Sequence, residues 1–262
     1  MSPSGVDFST VAGLVLHHGL ASTCSKKVRI ALIEKELPFV SRLLNLQNFE
    51  QTDPRYVALN PSGVVPTLVF DGTPIVESNC IIEFLEDQFP QIPLAPASPI
   101  ARAQMRAFTR FADTYAYDAV YVLTWMRLSA PAAQRLSGSE LAEVLARVPT
   151  AERRERWAAV AKDGFSPQEI ERSVARMNET LRKIDGWLSH GGEWLLPGQY
   201  SLADVSLVPF VDRIFNLAPD LVGDEEHFPA VSAWYRRMLG RPAVKRALFF
   251  DADPRSKLLP NI

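Results

Sequence analysis

Apolar positions in the first third of the chain switch between strand-like and helix-like spacing. Residues 13–18 (GLVLHH) form a short apolar run of strand length, and 26–35 carry Val28, Ile30, Ala31 and Leu32 on one side of a predicted helix. Residues 38–46 (PFVSRLLNL) return to strand character. The runs 65–70 and 74–76 flank Asp71-Gly72, a dipeptide that favours the tight turn of a hairpin. Residues 78–89 read as a helix with Ile81, Ile82, Phe84 and Leu85 on its apolar face and Ser78 as its N-cap. The order β-α-β-loop-β-β-α predicts a compact α/β unit over residues 12–90.

Residues 90–99 (PQIPLAPASP) hold four prolines and no helical period, so 91–99 are expected to form a stiff linker. Everything beyond reads as helix: 100–128, 139–148, 167–188, 200–218, 228–239 and 242–249. The predicted architecture is a small α/β domain followed by an all-α domain over 100–262.

Composition narrows the function classes. The chain has 262 residues, 47% apolar and 22% charged, which suits an ordinary globular protein. With 28 basic against 30 acidic residues there is no surplus to attract nucleic acid or an anionic membrane. Residues 1–10 have no basic, apolar leader pattern, and no apolar run approaches the ~20 residues of a membrane helix. Cys24 and Cys80 cannot make a disulfide framework, and neither they nor the four histidines have metal-ligand spacing. A cytoplasmic protein without a metal is expected.

Three segments carry candidate chemistry. Residues 20–27 (LASTCSKK) lie between a strand and a helix, where unpaired amides and about half a positive charge from the helix dipole favour an anion such as a thiolate. Either the hydroxyls of Ser22, Thr23 and Ser25 donate to that anion, or Cys24 is itself the thiolate, or one hydroxyl merely caps the helix. In 60–68 (NPSGVVPTL), a cis Val65-Pro66 bond would turn the backbone of Val65 outward to an extended ligand. In Val76-Glu77-Ser78, Ser78 at a helix start can take a carboxylate and Glu77 an ammonium, the two charges of an α-amino-acid end. A fourth segment, Ser201 to Asp204 (SLAD), has the spacing of a capping box and is assigned to folding.

Together, STCSKKVRIAL, LNPSGVVPTL and IVESNCIIEFLED resemble the N-terminal, thioredoxin-like domain of the cytosolic glutathione transferases. That resemblance implies a thioredoxin-like domain with an all-α partner, a cis Val65-Pro66 bond, Val65 on the cysteinyl backbone of glutathione, and Glu77 and Ser78 on its γ-glutamyl end. Gln51 matches the glycyl-side glutamine of zeta-like enzymes. Ser22 falls where serine-type members carry their activating hydroxyl, with Thr23 and Ser25 as neighbouring donors and Cys24 as the less favoured choice. A dimer is implied, either homodimeric or paired with a paralogue, in which an apolar residue such as Phe49 or Phe70 keys into the partner.

The electrophile should meet the helical half. Helix 100–128 carries Phe108, Phe111, Tyr115, Tyr117, Tyr121 and Trp125, and Phe111 and Tyr115 are taken as pocket residues for an aromatic substrate. Residues 136–173 look like the helical insertion of the bacterial β-etherase branch, whose members use glutathione to cleave lignin-derived β-aryl ethers. The alternatives are a general detoxifying transferase, a maleylacetoacetate-isomerase-like zeta enzyme, and a non-catalytic interaction module of the same fold.

Overall fold

The computed structural model describes residues 8, 12–220, 222 and 226–249. Strand β1 (Leu14–His18) is buried along its whole length, as its unbroken apolar start requires of a strand covered on both faces. It pairs in parallel with β2 (Val40–Leu43) and antiparallel with β3 (Thr67–Phe70), which in turn pairs antiparallel with β4 (Thr73–Ile75), giving the sheet order β2-β1-β3-β4. Asp71 and Gly72 both sit at positive φ (46° and 84°) in the β3–β4 turn, the conformation that two-residue hairpin loops need.

The parallel step from β1 to β2 needs a crossover, and helix α1 (Thr23–Glu34) supplies it. This helix starts three residues before the apolar period suggests, because its first turn, Thr23-Cys24-Ser25, is polar for reasons unrelated to packing. After a short α2 (Pro54–Val57), α3 (Ser78–Gln88) packs beside α1. Ser78 is not the N-cap of α3. Glu77 holds that position at φ 66°, without a side-chain cap bond, and Ser78 is the first helical residue.

Between the halves, the buried Glu86 carboxylate accepts hydrogen bonds from the N–H groups of Leu94 (3.0 Å) and Ala95 (3.1 Å), and from Lys35 Nζ (2.8 Å). The proline-rich connection is therefore tied to its own domain.

The helical half opens with a nearly continuous rod: α4 (Pro99–Phe111), a π-helical turn (Ala112–Ala116), α5 (Tyr117–Thr124), a second π turn (Trp125–Ser129) and α6 (Ala130–Gln134). Then come α7 (Gly138–Arg147), α8 (Ala151–Lys162), α9 (Pro167–Gly191), α10 (Leu202–Leu217), α11 (Pro229–Leu239) and α12 (Pro242–Phe249). Ser201 and Asp204 form the capping box of α10, and Asp204 also accepts from the indole N–H of Trp234 (2.9 Å). No described helix is long and apolar enough to cross a membrane.

Two hydrophobic cores result. The larger runs without a break from β1, α1 and α3 into α10 and α11. The smaller gathers Trp125, Val144, Val148, Trp157, Val160 and Phe165 around Phe49 of the α/β half. Phe49, expected at a partner surface, is instead buried inside its own chain, 4.9 Å from the Trp157 ring. Phe70 packs on Phe84 and Phe89.

Candidate functional site

The turn from β1 into α1 opens onto a cavity of about 410 Å³. Ser22 is the N-cap of α1, its Oγ accepting from the Ser25 N–H at 3.2 Å. A hydroxyl accepts and donates at once, so capping leaves its proton available to an anion in the cavity. Thr23 and Cys24 share the wall with it. Ser25 does not belong to this group. Its side chain is fully buried behind the turn, where Oγ accepts from the Gly19 N–H at 3.2 Å, because the fourth position of the loop already points into the core.

Three successive carbonyls before Ser22 are held by two buried guanidinium groups. Arg29 donates to Gly19 O (3.1 Å) and Leu20 O (2.9 Å), and Arg213, from α10, donates to Ala21 O. Burial pulls Arg29 down to about 9 and Arg213 to about 10, so both stay charged at neutral pH. Close to the start of α1, their charge adds to the helix dipole, a field that attracts an anion in the cavity.

Cys24 responds differently. Burial pushes its thiol above the usual range, outweighing Lys27, which pulls it down. Its sulfur is thus held as a thiol at neutral pH, a poor nucleophile. Burial likewise pushes the Tyr117 phenol to about 12, so it acts as a neutral hydrogen-bonding group.

A second, wider cavity of about 920 Å³ adjoins the first; Cys24, Val64, Val65, Tyr117, Tyr121 and Arg153 border both. The Val65-Pro66 bond is cis. Glu77 and Ser78 line the wider cavity together with Val65 and Pro66. Lys27 Nζ fastens this wall across the two halves, donating to Ser78 Oγ (3.2 Å), Asn79 Oδ1 (2.8 Å) and Asp113 Oδ1 (2.6 Å). Glu77 is one of four described non-glycine residues at positive φ, a conformation costing on the order of 1–3 kcal/mol and common at ligand clamps. Gln51 also lines the smaller cavity, buried, with its Oε1 lacking a hydrogen-bond partner among the described residues. An orphaned buried acceptor of this kind calls for a polar ligand.

The aromatic wall differs from expectation. Phe111 and Tyr115 line neither cavity: they stack on each other at 5.1 Å, and Phe111 meets Trp187 of α9 at 4.8 Å. Beyond the π turn at Ala112–Ala116 the cavity face is Tyr117, Val120, Tyr121, Thr124, Trp125 and Leu128.

Residues 21–88 match the glutathione S-transferase N-terminal domain and residues 149–242 the glutathione S-transferase C-terminal domain. Protein LigF of Sphingobium sp. strain SYK-6 is 34% identical over 248 residues, covering 90% of this chain and 92% of that protein. This chain belongs to the glutathione S-transferase family. The crystal structure of the β-etherase LigF superposes with a TM-score of 0.81 at 29% identity, covering 92% of this chain and 99% of that one. Maleylacetoacetate isomerase maiA of Aspergillus fumigatus is 30% identical over 247 residues, covering 91% of each chain.

Within this glutathione S-transferase, several site residues escape sequence reasoning. Arg29 and Arg213 act through backbone carbonyls, which leave no pattern in side-chain types. Trp157 and Arg153 enter from α8, and the only signal for them is the length of the segment between 136 and 173. No group of three or more His, Cys, Asp or Glu among the described residues is arranged to hold a metal ion.

Proposed function

We propose that this glutathione S-transferase activates the thiol of glutathione at the start of α1 and uses it to cleave β-aryl ethers of lignin-derived ketones. The observation that carries this reading is the single cavity in which Ser22, Thr23 and Cys24 face Tyr117, Tyr121, Trp125 and Trp157. A polar, anion-favouring floor lies opposite an aromatic roof, as transfer of a thiolate to an aryl substrate requires. Similarity to LigF across about 90% of the chain, the helical segment 136–173 included, supports the ether as substrate.

In this reading residues 12–90 bind glutathione. Val65 holds its cysteinyl backbone, Glu77 and Ser78 take the ammonium and carboxylate of the γ-glutamyl end, and Gln51 meets the glycyl end. Ser22 donates its proton to the sulfur, with Thr23 beside it. Lowering a free thiol from about 8.5 by one or two units takes about 1.4 kcal/mol per unit, within reach of one charged-group hydrogen bond plus the field beneath the loop. Attack forms a carbon–sulfur bond at the carbon next to the ketone as the carbon–oxygen bond breaks, and the electron pair leaves with the phenolate. The assembly is proposed to be a cytoplasmic dimer.

The test is incubation with glutathione and a guaiacyl β-ether ketone, with chromatography for both products. Equimolar phenol and glutathione thioether support the proposal; recovery of intact ether overturns it. The similarity to maiA favours a second reading, a glutathione-dependent cis–trans isomerisation, for which glutathione is recovered unchanged.

A further inference from the structure

The two adjoining cavities differ in charge. Among the described residues, the smaller is lined by Arg135, Arg153 and Arg213 and by no Asp or Glu. The larger is lined by Glu77, Asp113, Asp118, Glu152 and Glu155 along with Arg153 and Arg156. Of the arginines in the smaller cavity, Arg213 is buried and donates through one nitrogen to the Ala21 carbonyl, its Nε and Nη1 having no partner among the described residues, and Arg135 lies exposed. Arg153 is half-buried and borders both cavities, beside Tyr117 and Tyr121.

Its position is fixed by the packing of α8. Pro149, just ahead of the helix, is so close to Gly63 that a Cβ there would lie 3.0 Å from the proline ring. Trp157, four residues beyond Arg153 and so on the same face, packs on Phe49 (4.9 Å) and Trp125 (4.5 Å). The guanidinium is therefore carried by a helix anchored on both sides of it, over the boundary between the glutathione groove and the aromatic wall.

We propose that Arg153 is the specificity-determining residue for the electrophile, and that the preferred electrophiles are aryl compounds bearing a carboxylate. The inference rests on the transferase reading above but not on the ether as the bond cleaved. A planar guanidinium takes a carboxylate through two parallel hydrogen bonds, and a partly water-excluded cavity without competing acids strengthens that attraction. Tyr117 and Tyr121, both held as neutral phenols by burial, add hydrogen bonds beside it.

The experiment compares kcat/KM for a chloronitrobenzoate and the matching chloronitrobenzamide with glutathione. In each, the thiolate sulfur bonds to the ring carbon and chloride leaves with the bonding pair, so no ether chemistry is involved. The wild-type enzyme should favour the benzoate by about tenfold or more, a preference that shrinks as salt is added. In Arg153→Gln the benzoate-to-benzamide ratio should fall to about one, and in Arg153→Lys to an intermediate value. Because the ratio is taken within one protein, loss of folded enzyme cancels.

A wild-type ratio near one overturns the proposal, as does a ratio that survives in Arg153→Gln. A third outcome also overturns it: a rise in the KM for glutathione alone, equal with both electrophiles, would mean that Arg153 serves the tripeptide. The same pair of measurements on carboxylated and amidated guaiacyl β-ethers separates the two claims. A preference with the chloro compounds but no ether cleavage leaves Arg153 selective and removes the ether reading.

Discussion

Phe49 of the α/β domain and Trp157 of α8 meet edge-on with their ring centroids 4.9 Å apart. This contact, together with Pro149 against Gly63, places the inserted helix over the cavity as a roof fastened to the opposite domain. Phe49→Ala empties the middle of the smaller core and should cost about 3–5 kcal/mol. The melting temperature should fall, α8 should become accessible to limited proteolysis, and the KM for the electrophile should rise more than that for glutathione. An unchanged proteolytic pattern would show that the roof is held without Phe49.

Replacing Ser22 with Ala removes the hydroxyl proposed to donate to the glutathione thiolate. A lost donor to the ionised form raises the thiol pKa, so the rising limb of the pH–rate profile should move about one to two units toward higher pH. Activity at neutral pH should drop about 10- to 100-fold. Cys24→Ala should leave that limb in place, because burial already holds this sulfur as a thiol. The opposite pair of outcomes would transfer the activating role to Cys24.

Gln51 has a buried acceptor that no described residue satisfies. If glutathione supplies the missing donor, Gln51→Ala should raise the KM for glutathione by about tenfold with kcat little altered, the mark of an interaction made equally in ground and transition states. Calorimetric titration with glutathione gives the same quantity directly.

The aromatic wall makes a paired prediction. Tyr121→Leu should lower kcat/KM for aryl electrophiles about 5- to 30-fold, the equivalent of about 1–2 kcal/mol of aromatic contact and hydrogen bonding. Tyr115→Leu should leave it within about twofold, since that ring stacks on Phe111 outside both cavities.

Asp204 ties α10 to Trp234 from a fully buried position, and burial raises its carboxyl to about 6. A carboxyl that holds its proton more tightly in the fold stabilises most below its unfolded pKa near 4, and that contribution disappears as pH rises through about 6. The loss is on the order of 3 kcal/mol. Asp204→Asn cannot titrate, so the stability difference between variant and wild type, from urea unfolding, should move in the variant's favour between pH ~4 and ~6. A difference that stays flat across that window would place the Asp204 pKa elsewhere.

Much of this architecture is visible in local chemistry. The Asp71-Gly72 turn, the capping box at Ser201 and Asp204, and the sequence α12 (Pro242–Phe249) each depend on short-range rules, and each stands where the residues suggest. The strand–turn–helix order likewise brings Ser22, Thr23 and Cys24 to one cavity wall. What escapes is non-local or set by the path of the backbone. Phe49 looks like a surface residue until Trp157, 108 positions later, arrives to cover it. Phe111 and Tyr115 look like pocket residues because nothing in their own helix shows that Trp187 of α9, 76 positions after Phe111, packs on that face. Ser25 is indistinguishable from Ser22 in sequence; only the path of the backbone sends one inward and the other to the cavity.

The grip of Arg29 and Arg213 on Gly19, Leu20 and Ala21 is made entirely through main-chain oxygens. Such a hold is blind to what the next residues are. The hydroxyl or thiol displayed just downstream can be exchanged without renegotiating the seam between domains, which makes this turn a socket for interchangeable chemistries and the two arginines its permanent fixture.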